Sequence, residues 1–352
     1  MHISIVGAPS SGKTMLFRAL SGSYEGGVAN GASLVTIDVP DERLDLLTKM
    51  FNPRKTVYSR IELADTVAIR EGELKNETLD AKSLQQIRNS DALLVVLRHF
   101  DNGQPVNPVK EYKDIESEFI LADMGQIEAR LERIQKQNGN KAQSLLDQEQ
   151  KLLQQCLTHL ENAEPLSTLS LTDEEKKRLR GFLFLSLKPI MIVINCDEQN
   201  VPEADTIAAN LKTALPAEHL PVLAGCARLE AELASMPPHE QAEFMSEYSI
   251  KESIRGRVIQ LARDTLGLIS FLTVGDDECR AWPIRRGMSA QDAAGTIHTD
   301  FYQKFIRAET VSYDDFVRLG GFAGCKKAGV WRLEGKTYVV QDGDILSIRA
   351  GA

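Results

Sequence analysis

Gly7-Ala8-Pro9-Ser10-Ser11-Gly12-Lys13-Thr14 follows the apolar run Ile3-Ser4-Ile5-Val6 and leads into Met15-Leu16-Phe17-Arg18-Ala19-Leu20. The octet fits G-x-x-x-x-G-K-[ST], a pattern that average residue frequencies produce in roughly one chain in a hundred of this length. Its setting between a buried-type strand and an amphipathic helix is what a phosphate-binding loop requires. There, successive backbone N–H groups and the helix N-terminus converge on phosphate oxygens. In that reading Gly7 and Gly12 allow the close turn, Lys13 reaches the β- and γ-phosphates, and Thr14 offers its hydroxyl to Mg²⁺. Asp65, ending Ile61-Glu62-Leu63-Ala64, is placed like the acid that holds Mg²⁺ through its water shell.

Outward from the loop, the chain to about Arg98 alternates β-rich runs (Ile3 to Val6, Leu34 to Val39, Tyr58 to Leu63, Ala92 to Leu97) with helical segments such as Met15 to Leu20 and Ala81 to Ile87. This βαβ pattern predicts an α/β fold, a doubly wound, mainly parallel sheet with helices on both faces. From Asp114 to about Leu187 glycine and proline are sparse, and Ile120, Ile127 and Ile134 recur every seven residues, as do Leu146, Leu153 and Leu160. Two long helices should pair there as an antiparallel hairpin, with Asn138-Gly139-Asn140 as the turn. The sheet pattern resumes with Pro189 to Ile194, a helix around Ala204 to Leu215, Pro221 to Ala224, and further helix to about Ala262. The expected division is therefore 1–113 and 188–267 as two parts of a nucleotide-binding domain, 114–187 as a helical insertion, and 268–352 as a small α+β domain.

At 352 residues, 43% hydrophobic and 26% charged, the composition is that of a soluble globular protein of several domains. No window approaches the roughly 18 apolar residues of a membrane span. Met1 to Val6 runs directly into the glycine loop, so no signal peptide is read and a cytoplasmic protein is expected. Five widely spaced cysteines and six scattered histidines suggest neither a disulfide framework nor a zinc site. A formal charge of −9 argues against indiscriminate nucleic-acid binding, and residues 268–352 balance 11 basic against 11 acidic side chains, so the acidity lies elsewhere.

Base choice falls to Asn195-Cys196-Asp197-Glu198. Guanine-specific switches use the aspartate of N-K-x-D; here Cys196 replaces the lysine and Glu198 the aspartate. The altered motif is compatible with adenine, which offers an N6 donor and lacks the N2 amine.

With these elements in order, the chain resembles the YchF or Obg-like ATPase family over almost its whole length. The resemblance rests on GAPSSGKT, VPDERLDLL (39–47), IELAD (61–65), NCDE and CARLEAEL (226–233). Its most specific strings are C-terminal: RAWPIRRG (280–287), AAGTIHTDF (293–301), FIRAE (305–309) and LEGKTYVVQDGDIL (333–346). It implies a P-loop domain with an inserted coiled-coil arm, a C-terminal TGS domain of ubiquitin-like topology, ATP preferred over GTP, and a ribosome or RNA partner. Carried over residue by residue, Ser10, Ser11, Gly12, Lys13, Thr14 and Met15 line the phosphates, with Thr14 on Mg²⁺. Asn195, Cys196 and Glu198 surround the adenine, with Cys226-Ala227-Arg228 nearby.

Three departures bear on catalysis. Relatives read D-x-A-G where this chain has Asp65-Thr66-Val67-Ala68, so a switch glycine becomes alanine and loses φ freedom. The segment from Leu20 to Val39 is shorter than in relatives, leaving Thr36 as the nearest counterpart of their switch threonine. Asp101 to Lys113 lacks their loop histidine, for which His99 is the neighbouring candidate. A slow Mg²⁺-dependent ATPase, an ATP-binding module without turnover, and a GTP-binding switch are the readings that follow.

Overall fold

The computed structural model describes residues 1–22, 33–66, 68–70, 72–74, 79, 81–136, 143–215 and 220–351. The chain forms two compact units, Met1–Thr36 with Glu62–Ala262, and Ile37–Ile61 with Arg263–Ala352.

In chain order, β1 (His2–Val6) passes through the glycine loop into α1 (Lys13–Ser21). Then follow β2 (Ser33–Val39), α2 (Glu42–Phe51), β3 (Lys55–Val57), β4 (Ser59–Asp65), α3 (Ala81–Asn89) and β5 (Ala92–His99). Next come the long α4 (Pro108–Lys136) and α5 (Gln143–Glu161), the short α6 (Asp173–Leu179), β6 (Ile190–Cys196), α7 (Ala204–Ala214) and β7 (Val222–Gly225). Three helices, α8 (Ala227–Ser235), α9 (Pro238–Glu247) and α10 (Ile254–Thr265), complete the first unit's part of the chain.

The first sheet has the order β2-β4-β1-β5-β6-β7. Its pairs β1–β4, β1–β5, β5–β6 and β6–β7 are all parallel, so these strands end on one edge. Leu93 to Leu97 on β5 are 0% exposed, the signature of a strand covered on both faces. This agrees with the doubly wound α/β expectation.

The arm helices α4 and α5 share one core. Ile120, Ile127, Ile134, Leu153 and Leu160 of the heptad positions are buried in it, and Leu146 is half-buried against it. The Arg130–Glu149 ion pair, at 2.7 Å, joins the two helices. Asp123, seven residues earlier on α4, acts on Cys156, seven residues later on α5, so the helices run antiparallel. The proposed turn at Asn138-Gly139-Asn140 lies outside the described residues.

The second unit adds β8 (Leu268–Thr273), β9 (Glu278–Arg285), α11 (Ala290–Ile297), α12 (Thr299–Gln303), β10 (Phe305–Ser312), α13 (Tyr313–Arg318), α14 (Phe322–Lys327), β11 (Arg332–Glu334) and β12 (Asp344–Ala350). Its mixed sheet runs β11-β10-β12-β8-β9-β3. Ile269 and Phe271 on β8 pack with α11 on one face, whereas Leu272 faces a second cluster that holds Phe316 of α13.

Here the structure departs from the sequence reading, which gave residues 37–61 to the nucleotide domain. They belong to the second unit. Leu44 and Leu47, three apart on α2, are buried with Leu272, Val311 and Ile345, and β3 pairs in parallel with β9 from Lys55↔Glu278 to Val57↔Arg280. The apolar stripe of α2 finds its partners more than 200 residues along the chain, which no local pattern announces.

Candidate functional site

The carboxyl edge of the first sheet carries the phosphate loop, Asp65 and Asn195 to Glu198. Gly12 is the N-cap of α1 at φ +92°, a region that disfavours any Cβ, and a Cβ there would lie 2.0 Å from Asn195 Nδ2. At Gly7 the obstacle is proximity, since a Cβ would meet the Val96 carbonyl oxygen at 2.5 Å. Ser10 adopts φ +60° and is exposed.

Lys13, 7% exposed, donates from Nζ to the carbonyls of Gly7 (3.1 Å) and Ala8 (2.9 Å). Burial holds its ammonium below the usual lysine range, with the Asp65 charge opposing. Thr14 is exposed in the first turn of α1 and Met15 is half-buried behind it. The segment after β4 lies along this loop: Thr66 donates from Oγ1 to the Ile5 carbonyl at 2.6 Å, and Ile69 N–H donates to that of Gly7 at 3.1 Å. Ala68, half-buried, sits between them.

Parallel pairing of Ile5 with Asp65 brings the acid to the end of β4 beside the loop. Burial pushes its carboxyl above the ordinary range, while a hydrogen bond with Thr14 and the charges of Lys13 and Arg18 pull the other way. Its Oδ1 is buried and has no hydrogen-bond partner among the described residues. A hard, desolvated carboxylate oxygen next to the Thr14 hydroxyl is the donor chemistry Mg²⁺ takes, so Thr14 and Asp65 fit the ion.

Asn195 ends up as a tie. Its Nδ2 donates to the Ser11 carbonyl at 3.1 Å and its Oδ1 accepts from Ala227 N–H at 3.0 Å, joining the phosphate loop to the start of α8. Cys196 is 2% exposed within the apolar core, and burial pushes its thiol up to about 12. Glu198 opens a 3₁₀ turn and pairs with Arg228, which also approaches Glu232 at 3.6 Å. Of the three residues expected around the base, Glu198 alone presents an appreciably exposed side chain.

Six buried side-chain polar atoms lack a partner among the described residues: Ser11 Oγ, Arg18 Nε, Asp65 Oδ1, His99 Nδ1, Asp197 Oδ1 and Trp331 Nε1. All but Trp331 lie on the phosphate loop, on the helix it opens, or at the carboxyl ends of β4, β5 and β6. Buried polar groups are ordinarily paired, so a group of orphans marks a place completed by something else. The sequence singles out Ser11, Asp65 and His99, but Arg18 and Asp197 appear in it only within longer strings and with no role of their own, because their residue types are routine in a helix and a turn.

Two further features went unread. Arg98, 4% exposed, donates to the carbonyls of Phe100 (2.8 Å), Gln104 (3.3 Å) and Pro105 (2.7 Å), pinning the loop that lacks a histidine. Glu118 of α4 accepts from Gly72 N–H (2.5 Å) and Leu74 N–H (3.1 Å). Thr36 is exposed on β2, and most of the shortened segment before it lies outside the described residues.

Comparison with known proteins agrees with this architecture. The family model YchF-GTPase_C, described as a protein of unknown function, matches residues 268–351, and MMR_HSR1, described as a 50S ribosome-binding GTPase, matches residues 2–135. The chain is 37% identical to the ribosome-binding ATPase YchF of Bacillus subtilis over a 360-residue alignment covering 98% of each protein. It is likewise 37% identical to that of Escherichia coli O157:H7 over 361 residues, covering 97% of each. The solved structure of the Schizosaccharomyces pombe YchF GTPase superposes with a TM-score of 0.84 at 24% identity, covering 99% of this chain and 97% of that one, and so shows the same fold. Identity at this level over nearly the full length of both partners establishes that the chain belongs to the YchF family.

Proposed function

We propose that this chain is a slow Mg²⁺-dependent ATPase of the cytoplasm that works as a ribosome-associated switch. The observation that carries the reading is the group of unpartnered polar atoms at the phosphate loop and the carboxyl ends of β4, β5 and β6. Lys13 exchanges the carbonyls of Gly7 and Ala8 for β- and γ-phosphate oxygens, and the loop N–H groups and α1 N-terminus take the remaining charge. Thr14 and Asp65 would hold Mg²⁺, which would offset part of the triphosphate's negative charge. Asn195 keeps the loop in register with α8, and Glu198 accepts from the adenine N6 amine. Water attack in line then asks the protein chiefly for positioning, so turnover persists at a low rate without a loop histidine.

A second reading, ATP binding without turnover, draws support from Arg98, whose hold on residues 100–105 opposes movement of that loop toward the phosphates. Single-turnover hydrolysis of labelled ATP and GTP, enzyme in excess with Mg²⁺, separates these. Phosphate release from ATP, lost in Lys13→Ala, supports the ATPase. ATP retained uncleaved supports the binding module, and preferential GTP binding makes the chain a guanine switch.

The relatives named ribosome-binding ATPases motivate the partner. We read the arm (114–187) and a TGS-type domain (268–352) as the surfaces that meet it. Co-sedimentation with ribosomes that weakens as salt rises is the expected result; equal sedimentation without ribosomes removes the partner.

A further inference from the structure

Arg18 has no part in the chemistry described so far. It stands four residues beyond Thr14 on α1, so the two side chains issue from the same helix face. The Thr14 hydroxyl acts on the Asp65 carboxyl, favouring its charged form. An arginine in the last turn of a helix ordinarily serves the C-terminal end of the dipole from solvent. Arg18 departs from that in part: the residue is half-buried, and its Nε is buried with no hydrogen-bond partner among the described residues. A guanidinium stays charged at any physiological pH, so this nitrogen carries positive charge into a dry place. The nearby acid with an open valence is Asp65, whose Oδ1 is equally buried and unpartnered, and whose carboxyl feels the Arg18 charge.

We propose that Arg18 is a resident cation of the phosphate pocket, supplying from the protein part of the positive charge that a divalent ion otherwise brings to the triphosphate. The proposal rests on the nucleotide-binding reading above. Without Arg18 the metal-free pocket carries one positive charge fewer. A metal-free triphosphate carries close to four negative charges, so the difference acts directly on its binding. The same charge repels an incoming divalent ion. Arg18 therefore flattens the dependence of ATP affinity on Mg²⁺ from both sides.

The test is calorimetric titration of the full chain with ATP, once in EDTA and once in excess Mg²⁺, for wild type, Arg18→Gln, Arg18→Met and Arg18→Lys. The quantity read is the ratio of the two dissociation constants. One charge in a partly buried pocket is worth about tenfold. The ratio should rise by about that factor in Arg18→Gln and Arg18→Met, chiefly through weaker binding in EDTA, and stay within about twofold of wild type in Arg18→Lys. Thermal melting establishes which variants are folded, and Met fills the arginine's volume if Gln fails. An unchanged ratio in either folded, uncharged variant overturns the proposal. So does a wild type that binds ATP in Mg²⁺ but not in EDTA, a result needing no variant. A wild type that binds ATP in neither buffer overturns the nucleotide reading itself, and this proposal with it.

Discussion

Asp65 and Asp123 are both acids drawn out of water, and burial pushes both carboxyls above the ordinary range. At the root of the arm, Asp123 is 0% exposed and complete. It accepts from Leu185 N–H (2.9 Å), Ser186 N–H (2.8 Å) and Ser186 Oγ (2.8 Å), with Arg88 3.8 Å away. At the phosphate loop Asp65 keeps one buried oxygen open. The first carboxylate is spent on structure, fixing the chain that returns from the arm. The second has an acceptor position open, where the proposed Mg²⁺ would bind, so on this reading the difference separates a folding device from a binding one at the level of single lone pairs.

The sharpest way to break the comparison is Asp123→Ala, which strips three donors of their acceptor. A loss of about 3–5 kcal/mol is expected in urea unfolding, with ATP affinity of the folded protein little changed. Stability within about 1 kcal/mol of wild type would mean that the arm root is not held this way. Next is Lys13→Ala, expected to weaken ATP binding about a hundredfold in calorimetry, because charged hydrogen bonds to phosphate are lost, each worth roughly 1.5–3 kcal/mol.

A smaller effect separates the acids by pH. The Asp123 carboxyl is raised to about 6 in the folded chain, above the roughly 3.9 of an unfolded aspartate. The folded state therefore binds the proton more tightly, and this group's contribution to stability is greatest below about pH 4 and declines as pH rises through about 6. Unfolding free energies measured from pH 4 to 7 should show this downward component in wild type and lack it in Asp123→Asn. Equal pH profiles would remove the assignment.

The smallest expected change is at Glu198 and Arg228. As a largely exposed pair they contribute under about 0.5 kcal/mol to stability. Glu198→Gln should nevertheless reduce the ratio of ATP to GTP affinity about fivefold, because the acceptor proposed for the N6 amine is weakened. An unaltered ratio would move base choice to backbone groups.

The phosphate end was legible because its chemistry is written in consecutive residues. Gly12, Lys13 and Thr14 act through a local turn, and Asp65 ends a strand whose apolar pattern is plain. The heptads of the arm were legible for the same reason, since Ile127 and Leu153 must face each other if the helices pair. Asn195 was not, because its role depends on a bond to Ser11, 184 residues away, and a base-motif asparagine reads as a contact to base. Arg18 was hidden by its type, as a basic residue near a helix end is unremarkable until its Nε proves to be buried. The place of α2 and β3 in the second unit was hidden by distance in the chain.

The central claim is that the loop edge of the first sheet is an incomplete site that Mg²⁺ and ATP complete. Thermal unfolding of wild type and Asp65→Ala, with and without Mg²⁺ and ATP, tests it most directly. The account predicts that ligand at a hundredfold excess over Kd stabilises wild type by about 2.7 kcal/mol. It also predicts that Asp65→Ala without ligand melts at or above the wild-type temperature, since an open buried carboxylate is gone, yet gains much less from ligand. A wild type unmoved by Mg²⁺ and ATP, or an unliganded Asp65→Ala that melts well below it, would contradict the claim and make Asp65 a structural acid like Asp123.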